Sequence, residues 1–110
     1  MSEQKNTLEA KSANVRLPNE ATLHHAAKLS IVQDKPIMLD YWTASLNKDD
    51  DSKDKAIIGV RSKTEKLLVK NEEEYTSPIS AFYKNQNDFI IVTENSVYIV
   101  SADLPTKMIS

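Results

Sequence analysis

The chain has 110 residues, 27% of them charged and 40% hydrophobic, with a formal net charge of −2. That length allows one core and no more, and the absence of cysteine excludes disulfide frameworks, thiolate nucleophiles and the Cys-based zinc classes. A single glycine, Gly59, excludes Gly-rich phosphate loops and dinucleotide fingerprints. Residues 1–35 carry five Lys/Arg against four Asp/Glu, whereas residues 36–110 carry nine against twelve. The second part is therefore mildly acidic, the opposite of what a dedicated duplex-DNA binder requires. No apolar stretch approaches the length of a membrane span or a signal-peptide core, so the expected setting is the cytoplasm or a virion, with no membrane partner.

Residues 1–14 are polar, with Leu8 their only large aliphatic side chain beyond Met1, and are expected to form a flexible N-terminal arm. Residues 15–110 are expected to form a single α+β domain. Val15-Arg16-Leu17-Pro18 reads as extended, because a residue before proline avoids the α region. Asn19 is placed to cap a helix, with Glu20 in the first turn. Leu23, Ala26, Ala27, Ser30 and Ile31, with Leu29 beside them, give the helix its predicted inner face, and Asp34-Lys35-Pro36 ends it.

Pro36–Leu46, PIMLDYWTASL, reads as a strand with Ile37, Leu39 and Tyr41 on one face and Met38, Asp40 and Trp42 on the other. Asn47–Lys55 is a charged loop. Ala56–Arg61 and Lys66–Lys70 form a hairpin, in which Gly59 marks a bulge or a close neighbouring backbone. A second acidic loop, Asn71–Pro78, leads into a strand at Ile79–Lys84. The strongest signal follows in DFIIVTENSVYIVS, residues 88–101. Two β-branched runs there flank Glu94-Asn95-Ser96, and Phe89-Ile90-Ile91-Val92 is apolar enough to be covered on both faces. Ser96, as a turn residue, is expected to tolerate substitution. The layout is one N-terminal helix packed on a mostly antiparallel sheet or half-barrel of about six strands. The apolar tail residues Met108 and Ile109 are expected to dock.

The candidate sites carry no reaction chemistry. His24 and His25 are adjacent, so on a helix they diverge by about 100° and cannot share a metal. Asp49, Asp50, Asp51 and Asp54 lack the calcium-loop spacing, since Lys53 and Asp54 occupy the third ligand and glycine positions. Tyr75-Thr76-Ser77-Pro78 has the look of a phosphorylation site, but Ser-Pro is common in loops and its main expected job is turn formation. No catalytic, cofactor-binding or metal-binding residue is therefore assigned, no cofactor is expected, and the chain is read as a non-enzyme. The candidate partner contacts are Tyr41, Trp42, Met108 and Ile109. One of Tyr41 and Trp42 should be exposed, because they alternate across a strand. The leading expectation is a structural or protein-interaction module binding itself or other protein subunits. The second is a small single-stranded nucleic-acid-binding β-domain, with an exposed Trp42 stacking on bases beside Lys63, Lys66 or Lys70.

DKPIMLDYW at Asp34–Trp42, EEYTSPI at Glu73–Ile79 and PTKMIS at Pro105–Ser110 resemble small uncharacterised proteins of large double-stranded-DNA viruses of algae and other protists. The resemblance spans residues 18–110 and brings no catalytic motif. It implies a minor virion component, with capsid subunits as partners, or a factor of the infected-cell cytoplasm.

Overall fold

The computed structural model describes residues 16–46 and 55–109. The expected arm at 1–14 and the candidate calcium loop at 49–54 lie outside the described residues. In chain order the elements are α1 (Glu20–Gln33), β1 (Ile37–Met38), α2 (Trp42–Leu46), β2 (Ile57–Ser62), β3 (Glu65–Val69), β4 (Ile79–Asn85), β5 (Asp88–Thr93), β6 (Val97–Ser101) and β7 (Thr106–Met108). The α+β expectation holds, with one main helix and seven strands in two mostly antiparallel sheets among the described residues. A four-stranded sheet runs β1-β6-β5-β4 and a three-stranded sheet runs β3-β2-β7. Each sheet has one parallel edge pairing, β1 with β6 and β2 with β7.

The β5–β6 hairpin is central, as its apolar density predicts. Ile90, Val92, Val97 and Ile99 face α1 and pack with Ala26 and Trp42. Ile91 and Val100 face the other way and pack with Ile58 and Leu68 of the three-stranded sheet. The hairpin is thus covered on both faces, which is why it reads as a continuous apolar run rather than a strict alternation. Its turn differs from expectation at Ser96, which is 7% exposed and whose backbone N–H donates to Thr93 Oγ1. Glu94 and Asn95 are the solvent-facing turn residues.

Two further expectations are corrected. The Pro36–Leu46 strand stops after Met38; Trp42–Leu46 is a short helix, opened by the Trp42 N–H donating to the Leu39 carbonyl. A helical turn removes the two-faced alternation, so Tyr41 and Trp42 are both buried, at 4% and 5% exposure. The inner face of α1 is also rotated. Thr22 and Ala26 are buried and Leu29 half-buried, while Leu23 and Ile31 face solvent. The cause lies at the helix start. Asn19 caps as predicted, accepting from the Thr22 N–H at 2.9 Å, but Asn19 and Thr22 also both bind the buried Asp88. That anchorage turns Thr22 inward and Leu23 out.

Candidate interaction surface

Among the residues marked out by sequence, Tyr41 and Trp42 are structural. The Trp42 indole N–H donates to the Arg16 carbonyl at 2.7 Å, and the Arg16 guanidinium carbon lies 5.0 Å from the indole ring centroid. Tyr41 stands edge-on to Tyr98, with ring centroids 5.4 Å apart, and the Lys70 ammonium sits 5.7 Å from the Tyr41 ring centre. Burial pushes the Tyr41 phenol well above its ordinary value, and Tyr98, Asp40 and Glu74 push it the same way. Tyr98 is also raised, again chiefly by burial, against an opposing hydrogen bond from Ser96.

The tail residues part company. Pairing of β7 with β2 is extended by the Ile109 N–H donating to the Val60 carbonyl, which lays Ile109 across Gly59. A Cβ built on Gly59 would stand 2.8 Å from Ile109 Cδ1 and 3.0 Å from Val69 Cγ2. Gly59 is therefore where the tail nests, and its close neighbours are side chains rather than the expected backbone. The register shift in this hairpin lies between Val60 and Ser62 instead. Ile109 docks and is half-buried, whereas Met108 stays 76% exposed.

These residues border an open groove of about 640 Å³ on the outer face of the three-stranded sheet. Strand alternation builds it. Ile58 and Leu68 pair across β2 and β3 and point into the core, so the pairs on either side, Ile57–Val69 and Gly59–Leu67, point outward. Ile57, Leu67, Val69 and Ile109 form an apolar lining, with Tyr75 and Met108 beside them and Arg61, Lys70 and Glu72 at the polar margin. Tyr75 is 56% exposed and is held by its isolated bridge to Val69. Its neighbour Thr76 is buried and accepts the Leu68 N–H at 3.1 Å, so this hydroxyl belongs to the fold. Sequence reasoning found Met108 and Ile109 but missed Tyr75, whose position depends on a loop folding back onto β3.

The polar cluster that sequence reasoning also missed is centred on Asp88, which is fully buried. Its carboxylate accepts from Arg16 Nη1 at 2.7 Å, the Asn19 N–H at 2.8 Å, Asn19 Nδ2 at 2.7 Å and Thr22 Oγ1 at 2.9 Å. Arg16 also donates to the Asn87 carbonyl and Ser101 Oγ. Both carboxylate oxygens are committed to holding the start of α1 on the β4–β5 hairpin. Of the two histidines, His24 is exposed; His25 is half-buried, with Nδ1 3.0 Å from Asn85 Nδ2 and its ring edge-on to Tyr83.

No family model, curated protein or solved structure matches the chain. No helix among the described residues is long and apolar enough to cross a membrane.

Proposed function

We propose that this chain is a non-enzymatic protein-interaction module whose contact surface is the groove on its three-stranded sheet. The observation that carries this reading is an apolar lining flanked by Tyr75 and Met108, 56% and 76% exposed, beside a charged margin. An apolar centre with an aromatic and a methionine anchor inside a polar rim is the make-up of a protein contact. Met108 and Ile109 keep the partner-contact role expected of them, and Tyr75 replaces Tyr41 and Trp42 in it. The nucleic-acid reading relied on an exposed Trp42, and the burial of that ring favours the protein reading. The non-enzymatic part is supported by the same economy of polar groups: the buried carboxylate of Asp88 is taken up by structural donors. From the viral resemblance, the proposed setting is a minor virion component or a factor of the infected-cell cytoplasm, with capsid subunits or other copies of the chain as partners.

Native mass measurement of the full chain with whatever co-purifies tests the proposal. The expected result is a bound protein, whose affinity falls about tenfold in Met108→Lys or Tyr75→Ser while the melting temperature holds, since an interface anchor contributes on the order of 1–2 kcal/mol. Co-purification of oligonucleotide in place of protein, lost on addition of salt, would overturn it.

A further inference from the structure

The second feature of the surface is the outer edge of β4. This strand ends the four-stranded sheet, and among the described residues β5 is its only strand partner. Among the described residues, no backbone group of Ile79–Lys84 hydrogen-bonds to anything but β5. An unpaired strand edge is a template for another strand, and chains usually blunt it with lysine, proline or a bulge. Here proline and the bulge are confined to one end, and the strand's own lysine, Lys84, lies near the other. Pro78 precedes the strand, and a register shift falls between Ile79 and Ala81, where Ser80 Oγ donates to the Val92 carbonyl at 3.0 Å. From Ala81 to Asn85 the register with β5 is regular.

The first part of β4 borders a cleft of about 350 Å³ lined by Lys63, Thr64, Lys66 and the Ile79–Phe82 stretch. No acidic side chain lines it. Glu65, between the two lysines in sequence, is engaged by Arg61 at 3.3 Å. Lys63 and Lys66 are exposed, Lys84 is exposed further along the same strand, and none of the three makes an ion pair among the described residues. Phe82, 41% exposed, is held edge-on against Phe89 with ring centroids 4.6 Å apart, which fixes an apolar platform at the middle of the strand.

We infer that the β4 edge takes up an extended acidic peptide segment by strand addition, its backbone pairing with Ala81–Lys84 and its carboxylates meeting Lys63, Lys66 and Lys84. The unpaired backbone groups select a peptide, since they match the repeat of another strand. The lysines select its charge: they repel a basic strand, and a second copy of β4 would bring its own Lys84 toward them. The inference shares with the proposed function only the premise of a protein partner, because the site lies apart from the groove that contains Met108.

The test uses the full chain and a fluorescein-labelled peptide of alternating Glu and Val, about eight residues long to match an ordinary strand. Fluorescence anisotropy should show saturable binding, and amide shifts in NMR spectra should centre on Ile79–Asn85. A Lys/Val peptide of the same length should bind at least about tenfold more weakly, and Lys63→Glu with Lys66→Glu should remove that preference, as expected when exposed ion pairs turn repulsive. An acidic peptide N-methylated at two adjacent central amides, so that neither of its edges can pair, should not bind. Equal binding of the methylated peptide, or no binding of any peptide, would sink the inference. So would tighter binding of a short oligothymidylate at the same lysines, or a dimer in native mass spectra that Phe82→Glu dissolves. Met108→Lys should leave peptide binding intact. If it alone abolished binding, the β4 site would fall while the groove reading stood.

Discussion

A carboxylate buried without partners costs several kcal/mol, and it is tolerated only where its acceptor positions are met by well-placed donors. Asp88 meets that condition with four hydrogen bonds from Arg16, Asn19 and Thr22. Asp88→Ala should therefore cost about 3 kcal/mol in denaturant unfolding, with the start of α1 losing amide protection first. Thr22→Val, which keeps the shape and removes one donor, should cost about 1 kcal/mol. Little of this was legible in the sequence. The Asn19 cap is a local signal and was read, but Asp88 looks like a turn residue beside Asn87, and its donors stand 66 to 72 residues earlier in the chain. Tyr41 sets a second expectation. Its folded-state pKa is raised by burial, so below pH 10 both states carry the neutral phenol and its contribution to stability is fully present. Above that, the unfolded chain loses the proton first, and stability falls as pH climbs towards the folded-state value. Alkaline unfolding followed by circular dichroism should show this fall, and Tyr41→Phe should flatten it.

At the scale of elements, the strand pairs of the two hairpins were legible because β-branched residues and polar breaks are local features. The Pro36–Leu46 error has a specific cause. Alternation of Ile37, Leu39 and Tyr41 satisfies a strand pattern, but Ser45 accepts the Ser101 N–H through Oγ and donates to the Trp42 carbonyl, contacts available to it in α2. The rotation of α1 has the same character: apolar spacing set one face, and the distant Asp88 selected another. The tail element can be tested against Gly59. Gly59→Ala pushes Cβ into Ile109 Cδ1 and Val69 Cγ2, and should cost about 1 kcal/mol even after Ile109 shifts. In an Ile109→Ala background the main obstacle is gone, and the same change should cost close to nothing. A double-mutant cycle should therefore return a coupling of about 1 kcal/mol. Additive costs would mean that Ile109 does not nest on Gly59.

The molecule as a whole is joined by one shared core. Ile91 and Val100 come from the four-stranded sheet, Ile58 and Leu68 from the three-stranded sheet, and Tyr41 and Ala44 from the segment around α2. Neither sheet can expose its half of that cluster without exposing the other's, so the two should melt as one cooperative unit. Leu68→Ala, in β3, removes a fully buried side chain and should cost about 2–5 kcal/mol. If the core is shared, hydrogen exchange should quicken by a similar factor at Ile91 in β5 and at Leu67 in β3, because both amides then open through the same global event. Exchange that quickens in β3 alone would show two independently opening layers. Ile91→Asp is the stronger form of the same test. Ile91 has no exposed surface and lies between the sheets, so the new carboxylate would have no partner and no water. Its cost of several kcal/mol is comparable with the whole stability of a domain this size, about 5–15 kcal/mol. The Ile91→Asp chain should show neither near-ultraviolet circular dichroism nor a cooperative melt, whereas Glu94→Gln, at the exposed turn of the same hairpin, should stay within about 0.5 kcal/mol of the parent. A folded, cooperatively melting Ile91→Asp would mean that the two sheets are not packed on each other through this hairpin.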